Sequence, residues 1–312
     1  MASDRFPNDK VGRRRLIGAG FLIAGAGMTM RAQAAAPAIR DPMIPLPIPP
    51  QVPAKEGLAL LSATRLWYWD TGGTGQPVVF LHPATGSSQI WGYQQPVFAA
   101  AGYRVIGYSR RGYYKSDPVP KANPATASGD LRELLDVLQV GKCHIAGSAA
   151  GCAIAIDFAL SHPERLFSLT LACGVGGIQD TDYVRMADSI RPPGYDGLPA
   201  AFRELSPSYR AANPQGTAQW AALEKSAVTG NRFGQTSANR ITWSAIQTMS
   251  APVLLIGGDS DLGVPPPMLR TFASHLKNAE LVLVPEAGHS VYWEQPELFN
   301  RTVLGFVARH TT

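Results

Sequence analysis

The stretch HIAGSAAGCAIAIDFALSHPER, from His144 to Arg165, joins a short apolar run to a segment with helical spacing through a turn of small residues. Gly147 and Gly151 bracket this turn, and Ala149 lies midway between them. A Gly-x-Nuc-x-Gly turn holds a nucleophile in a strained conformation between a strand and a helix, where bulky neighbours would clash. The stretch therefore predicts a nucleophile turn in which alanine occupies the nucleophile position.

Short apolar runs alternate with segments of helical spacing on both sides of this turn. Eight runs predict strands: LALLS (58–62), RLWYWDT (65–71), PVVFL (77–81), YRVIGY (103–108), KCHIAG (142–147), LFSLTLA (166–172), PVLLIGG (252–258) and LVLVP (281–285). Helices are expected over Gln89–Ala100, Ala125–Leu138, Gly151–Ser161, Met268–Leu276 and 294–309. Strands separated by helices indicate an α/β fold, with a mostly parallel sheet covered by helices on both faces.

One long segment, 176–246, interrupts the alternation. It begins rich in Pro and Gly, has no clear strand and carries seven aromatic residues: Tyr183, Tyr195, Phe202, Tyr209, Trp220, Phe233 and Trp243. We interpret it as a helical cap inserted into a core made of 57–175 and 247–312. An aromatic cap over the carboxyl edge of the sheet would wall an apolar pocket. Tyr183 and Trp243 are the cap residues that we expect on that wall.

Four loop motifs accompany the strands: FLHPATGSS (80–88), YSRRGYYKSDP (108–118), GGDSDLGVPP (257–266) and PEAGHSVYWEQPELF (285–299). They resemble, in order, the oxyanion loop, Arg-Gly loop, acid turn and histidine loop of the α/β-hydrolase superfamily. The branch that they resemble is the capped one, which includes esterases, lactonases, C–C bond hydrolases and cofactor-free haloperoxidases. The resemblance runs from about 57 to the C-terminus. It implies an α/β-hydrolase fold with an eight-stranded sheet and a helical cap.

The resemblance places an acid and a base on the last two loops. His289 lies in a Gly-His turn after the last strand and is the expected base; Asp261, after LLIGGDS, is the acid expected to orient it. A hydroxyl becomes a nucleophile when a neutral imidazole, held by a buried carboxylate, takes its proton. Asp259 is the alternative acid. The chain order of nucleophile, acid and histidine is the one that this fold uses.

Two backbone N–H groups, those of Ala84 and Ala150, are expected to form an oxyanion hole. Ala150 follows the nucleophile position at a helix N-terminus, and Ala84 follows His82 and Pro83 after the third strand. The family more often has Gly where Pro83 stands, but that position is not the donor. His82 is expected on the wall of the substrate pocket.

Four explanations are open for the alanine at position 149. In the first, Ala149 is a deliberate replacement of serine, the usual way to trap a substrate. In the second, Ser148 attacks instead, in a register shifted by one residue. In the third, the chain naturally lacks a nucleophile, and it either binds a ligand or uses His289 and Asp261 to activate water. In the fourth, Cys152 attacks from within the helix, although it should face the core there.

Residues 1–36 resemble a twin-arginine export signal. Three arginines at 13–15 precede a Gly- and Ala-rich apolar run at 16–30, and the small residues of a cleavage site follow. Because the run is too short and Gly-rich for a comfortable membrane span, we expect cleavage, no stable membrane insertion and a bacterial periplasmic or secreted protein. An uncleaved membrane anchor is the alternative. Residues 37–56 are Pro-rich and predict an extended linker.

Composition argues against several other classes of protein. The chain has 312 residues, 45% of them hydrophobic and 16% charged, and a formal net charge of +5. Residues before position 35 supply four of these charges, and no basic block interleaved with aromatic residues follows, so nucleic-acid binding is not expected. No cofactor or metal motif is recognised, because GTGQ near Gly73 lacks the spacing of a phosphate loop.

The three cysteines, Cys143, Cys152 and Cys173, lie in apolar stretches and show no CxxC spacing. An odd number of cysteines without this spacing argues against a disulfide framework or a zinc site. We interpret them as small buried hydrophobic residues. A single Cys143–Cys173 bridge between neighbouring strands is the alternative.

These expectations together predict an exported hydrolase. It would cleave an ester, lactone or similar acyl bond of an apolar small molecule through a Ser-His-Asp-type mechanism, and it is present here without its nucleophile. Dehalogenase and epoxide-hydrolase chemistry is disfavoured because both need a carboxylate at position 149. The alternatives are a ligand-binding pseudo-hydrolase that cleaves nothing, and cofactor-independent acid/base chemistry by His289 and Asp261.

Overall fold

The computed structural model describes residues 44–229 and 234–311, so the predicted export signal lies outside the described residues. Within them, eight strands form one sheet: β1 (Lys55–Leu60), β2 (Arg65–Asp70), β3 (Pro77–Leu81), β4 (Arg104–Tyr108), β5 (Cys143–Ser148), β6 (Leu166–Ala172), β7 (Val253–Gly258) and β8 (Ala279–Val284). Their order across the sheet is β1-β2-β4-β3-β5-β6-β7-β8. Strand β2 pairs antiparallel with β1 and β4, and the other neighbours are parallel. The mostly parallel sheet predicted from the sequence is confirmed.

Helices connect and cover these strands. The described residues form eleven α-helices: α1 (Gln95–Ala100), α2 (Ala127–Val137), α3 (Ala150–Ser161), α4 (Thr181–Ile190), α5 (Ala200–Glu204), α6 (Pro207–Ala212), α7 (Pro214–Ala227), α8 (Trp243–Ile246), α9 (Pro266–Ser274), α10 (Val291–Glu294) and α11 (Pro296–Ala308). Polar side chains cap several of them. The Thr126 hydroxyl accepts from Gly129 N at the start of α2, and this satisfies a helix N–H that has no partner within the helix.

The two faces of the sheet bury two apolar clusters. In β3, Val78 and Phe80 pack into one cluster, while Val79 and Leu81 pack into the other. This alternation follows from the two-residue period of a strand, and it explains why the central strands are apolar at consecutive positions. All six residues of β5 are buried, so the turn that follows β5 is anchored in the centre of the core.

Two of the predicted helices are interrupted near a proline. The segment predicted as Gln89–Ala100 consists of a 3-10 turn at Ser88–Trp91 and helix α1, whose first turn contains a proline. The segment predicted as 294–309 is divided into α10 and α11. Gln295 between them has φ −130° and ψ 64°, because the residue before a proline avoids the helical region, and Pro296 then begins α11.

The segment interpreted as a cap is helical in its described part, which contains α4 to α8. Hydrogen bonds tie it to the core. Tyr114 N donates to Ala227 O (2.8 Å), and Ser206 Oγ donates to Glu286 O (2.9 Å). Its bounds, 176 and 246, stay a prediction, and residues 230–233 within it lie outside the described residues.

Residues 44–54, the described part of the Pro-rich segment before β1, form no helix or strand, but they are attached to the core. Tyr93 Oη donates to Leu46 O at 2.6 Å. The Gln95 side chain accepts from Val52 N (3.0 Å) and donates to Val52 O (2.8 Å). Core side chains therefore bind backbone groups at 46 and 52, and the extended conformation of the linker stays a prediction.

The three cysteines are free and buried. Cys143 begins β5, whereas Cys173 follows the end of β6, and the two parallel strands pair with Ser148 opposite Ala172. Cys143 therefore lies at the amino ends of these strands and Cys173 at their carboxyl ends, about 20 Å apart at roughly 3.3 Å per strand residue. A disulfide needs Cα atoms within about 7 Å, so the Cys143–Cys173 bridge is not formed.

Candidate active site

The turn between β5 and α3 has the backbone of a nucleophile elbow. Ala149 lies at its apex with φ 49° and ψ −111°. Positive φ is unusual for a residue with a side chain and costs of the order of 1–3 kcal/mol. A Cβ on Gly147 would lie 2.7 Å from Gly151 O, and a Cβ on Gly151 would collide with Leu81 O. Both glycines are therefore required, and the apex is residue 149, as the glycine spacing predicts.

The structure does not bring the two alternative nucleophiles to the apex. Ser148 is the last residue of β5, is fully buried, and has no hydrogen-bond partner for its Oγ among the described residues. Cys152 is also buried, and its Sγ contacts Gly147 O (3.3 Å) and Ala172 O (3.4 Å). Burial raises the pKa of the Cys152 thiol far above its ordinary value, so this sulfur stays protonated and unreactive.

Asp261 and His289 form a buried pair. His289 Nδ1 lies 2.8 Å from Asp261 Oδ2 and 2.9 Å from Oδ1. Asp261 Oδ1 also accepts from Gly263 N (2.8 Å) and Val264 N (2.9 Å), which fixes the carboxylate in the loop after β7. Because Asp261 takes Nδ1, Nε2 is the ring nitrogen that remains for a reacting group.

Asp259, the alternative acid, lies elsewhere. Its carboxylate is exposed and accepts from Glu286 N at 2.9 Å, so it closes the turn between the loops after β7 and β8. The geometry thus favours Asp261 as the partner of His289.

The surroundings of His289 hold a proton on its ring. Burial alone lowers the pKa of His289, but the charges of Asp261 and Glu204 and the Asp261 hydrogen bond outweigh it and raise the pKa to about 9. His289 is therefore mostly an imidazolium at neutral pH, and it becomes a base only as the pH approaches 9.

Glu204, at the end of α5, is a cap residue that the sequence analysis missed. It is buried, and its carboxylate accepts from Thr85 Oγ1 (3.0 Å) in the oxyanion loop and from Ser290 Oγ (3.3 Å) beside the histidine. Burial raises the pKa of Glu204, and the charge of His289 partly opposes that shift. No local pattern marks this glutamate, because its neighbours come from two distant loops.

A cavity of about 310 Å³ lies between the cap and the core. Ala149, Ala150 and His289 line its inner end, and Tyr183 and Tyr195 of the cap line its wall. Trp243 and His82 are not among the lining residues, unlike the sequence expectation. Trp243 packs behind Tyr183 (ring centroids 5.0 Å) and stacks on His275 (3.9 Å). It therefore supports the wall from behind.

His82 is the first residue of the oxyanion loop after β3. It is fully buried; its Nδ1 donates to Pro83 O (2.8 Å) and its Nε2 accepts from Arg110 N (3.1 Å). Burial, and then the charge of Arg110, lower the pKa of His82 well below its ordinary value, so the ring is neutral. His82 therefore shapes the loop and is not a wall of the main cavity.

The two expected oxyanion donors differ in position. Ala150 is the first residue of α3, where N–H groups have no partner within the helix, and it lines the main cavity. Ala84 is exposed and does not line that cavity; its carbonyl accepts from Tyr113 Oη at 3.2 Å. The Ala150 donor thus has support from the geometry, and the Ala84 donor stays a prediction.

Neither a metal cluster nor a membrane span is recognised in the described residues. Between 44 and 229 and between 234 and 311, no three His, Cys, Asp or Glu side chains are grouped to hold a metal ion. No helix of the same two ranges is both long and apolar enough to cross a membrane.

Comparison with known proteins places this site in a family. The sequence profile of the Alpha/beta hydrolase family matches residues 78–302. A 2-hydroxy-6-oxononadienedioate/2-hydroxy-6-oxononatrienedioate hydrolase of Paraburkholderia xenovorans is 29% identical over 264 residues, which cover 78% of this chain and 91% of that protein.

Two solved structures share the fold. An esterase from Thermogutta terrifontis has a TM-score of 0.67 at 22% identity, over 83% of this chain and 100% of that chain. The enol-lactonase from Burkholderia xenovorans LB400 has a TM-score of 0.64 at 22% identity, over 81% and 100%. The structural likenesses show the fold, and the sequence relatives support a general hydrolase role. The chain belongs to the alpha/beta hydrolase family.

Proposed function

We propose that this chain is the nucleophile-less form of an exported hydrolase that cleaves an ester, lactone or similar acyl bond of a small molecule. One observation carries the proposal. Ala149 has the strained backbone of a nucleophile elbow and lines the same cavity as His289, whose Nδ1 is bound by Asp261. Two solved structures of the same fold, named as an esterase and an enol-lactonase, support this choice of bond, and the dienedioate hydrolase supports hydrolysis in general.

The residues divide the work of acyl transfer among them. A serine at 149 would attack the carbonyl carbon while His289 Nε2 takes its proton, and Asp261 would stabilise the imidazolium that forms. The N–H of Ala150, with that of Ala84 as the predicted second donor, would bind the developing oxyanion. His289 would then protonate the leaving group, and water would release the acyl group by the same steps. An alanine methyl at 149 cannot attack, so this chain stops before the acyl-enzyme.

Turnover of a neutral aryl ester tests the proposal. We expect the Ala149→Ser protein to hydrolyse 4-nitrophenyl butyrate at least about 10³-fold faster than the unchanged chain, because the triad acts as a unit. Adding His289→Gln should remove most of that gain. Ser148→Ala in the same background is the matched control, since its unpartnered hydroxyl lies outside the cavity.

The outcomes separate the alternatives. Equal turnover by the unchanged chain and the Ala149→Ser protein would show that residue 149 is not the nucleophile. Loss of activity on Ser148→Ala would favour the shifted register. No turnover by either form, with ligand binding retained, would favour the pseudo-hydrolase.

Acid/base chemistry without a covalent intermediate is the second candidate. The observation that favours it is the intact Asp261–His289 pair beside buried Glu204 in a chain that lacks a nucleophile. Any activity of the unchanged chain should then disappear with His289→Gln and persist with Ser148→Ala. Activity that survives His289→Gln would exclude this candidate.

Export is a separate part of the proposal. Its support is the sequence alone, where three arginines at 13–15 precede an apolar run. Replacing all three arginines with lysine should retain the full chain in the cytoplasmic fraction, whereas the unchanged chain reaches the periplasm. An unchanged distribution between fractions would contradict twin-arginine export.

A further inference from the structure

A second cavity, of about 230 Å³, borders the start of α3 beside the elbow. Its walls come from the loop after β4, the start of α2, the first turns of α3 and residues 234–237 of the cap segment. Ala150 lines both cavities. The second cavity therefore borders the residue whose N–H is expected to bind the oxyanion, whereas Ala149 and His289 line only the main cavity.

Arg110 brings a positive charge to this cavity without an acidic partner. Its guanidinium donates to Pro83 O (3.1 Å) and to His82 Nε2 (3.3 Å), and it lies over the Tyr113 ring at 4.7 Å. All three partners are uncharged. Among residues 44–229 and 234–311, no carboxylate lies within ion-pair distance of Arg110. Arg110 is half-buried, and a cation in such a position without an anionic partner favours an anionic ligand.

Arg111 also lines this cavity, but its guanidinium is held by an acid. Only 3% of its surface is exposed. Its Nε and Nη2 bind Asp130 at 2.7 and 2.6 Å, but its Nη1 has no hydrogen-bond partner in the described part of the chain. This Nη1 atom is closed off from solvent, so it does not offer a donor to a ligand in the cavity, and Asp130 already pairs with the charge of Arg111.

The acidic residue on the cavity wall has partners of its own. Asp157 accepts from Ser128 Oγ, from the backbone N–H groups of Ala238 and Asn239, and from Asn239 Nδ2. Its two oxygens thus fasten the cap segment to α2 and α3. Because Asp157 does not pair with Arg110, the positive charge of Arg110 is available to a ligand.

Building on the proposed function, we propose that this cavity binds a carboxylate of the substrate and that Arg110 determines specificity for it. The substrate would then be a monoanionic ester or lactone, with its reacting carbonyl at the elbow and its carboxylate beside Arg110. The Arg110 guanidinium, already held by His82 and Pro83, would make two parallel hydrogen bonds to that group. The apolar part of the substrate would occupy the main cavity.

Binding to the unchanged chain is measured first, because Ala149 cannot consume the probe. The probes are 4-nitrophenyl monoesters of adipic and suberic acid, each compared by calorimetry with the matching terminal amide. We expect at least one carboxylate probe to bind about 10- to 100-fold more tightly than its amide. Arg110→Gln should remove this preference, and Arg110→Lys should restore part of it.

A matched control and a second assay keep the two proposals distinguishable. Arg132→Gln removes a surface cation that lines neither cavity and should keep the preference for the carboxylate. Equal binding of acid and amide, or a preference that survives Arg110→Gln, would overturn the inference. If the Ala149→Ser form hydrolyses the amide and acid esters equally, only the carboxylate site fails. If the preference is present but no ester is cleaved, only the proposed hydrolysis fails.

Discussion

At residue 149 a methyl group occupies the apex that the fold reserves for a nucleophile. The backbone keeps its strain, with φ 49°, although alanine gains nothing from this conformation. The acid and the histidine are also in place. Under the proposed acyl-transfer mechanism the chain lacks one oxygen atom, so predictions about its chemistry are made on the Ala149→Ser protein.

The pH dependence of that protein should follow His289. Because the pKa of His289 is raised to about 9 and only the neutral ring accepts a proton, kcat/KM should rise with pH through neutrality and level off above about 9. A pH profile with a neutral aryl ester measures this. A plateau that begins near pH 6.5 would mean that Asp261 and Glu204 do not hold the proton on the ring.

Glu204 should contribute to that shift through its negative charge. Glu204→Gln keeps an acceptor for Thr85 but removes the charge, so the pKa of His289 should fall. Titration of the His289 ring by NMR measures the change. Glu297→Gln, at an exposed position in α11, is the control and should leave the titration unchanged. An unaltered midpoint in Glu204→Gln would remove Glu204 from the site.

At the scale of the element, the elbow depends on contact between backbones. Gly151→Ala would drive a methyl into Leu81 O of β3, so we expect the free energy of unfolding to fall by about 1–3 kcal/mol or more. Gly141→Ala is the matched control, because nothing lies within 4 Å of its Cβ position. Urea unfolding of both variants measures the difference. Equal stability would show that α3 and β3 are not in contact as described.

The sequence predicted elements better than it predicted their ends. The central strands could be found because their apolar runs are buried on both faces of the sheet, whereas the edge strands β1 and β8 are partly exposed. The helices at 89–100 and 294–309 were predicted as continuous, and Pro96 and Pro296 explain where they are interrupted. The apex at 149 could be found because two glycines at fixed spacing have a steric cause.

At the scale of the whole molecule, side chains of the cap make the contacts that the sequence could not predict. Glu204 reaches Thr85 and Ser290 across more than 80 positions of the chain, and no local spacing encodes such a contact. The same holds for Trp243, which was expected on the cavity wall and lies behind Tyr183. Side-chain direction in a cap depends on packing between helices whose arrangement a pattern does not reveal.

The free energy of unfolding should depend on pH because the pKa of His289 is raised. A histidine whose folded pKa exceeds its unfolded value of 6.5 stabilises the fold fully below pH 6.5, and this contribution is lost as pH rises through about 9. The free energy of unfolding should therefore fall between about pH 7 and 8.5, by an amount of the order of 1 kcal/mol or more. Urea unfolding at the two pH values measures it. His289→Gln should abolish this pH-dependent decrease, and a decrease that persists in that variant would have another origin.

The most direct test of the central claim is the position of an acyl group. The Ala149→Ser protein and the unchanged chain are mixed with 4-nitrophenyl butyrate, quenched in acid within milliseconds, digested and analysed by mass spectrometry. We predict a butyryl group on residue 149 of the serine form and none on the unchanged chain. A butyryl group on Ser148 in either protein would contradict the elbow described here.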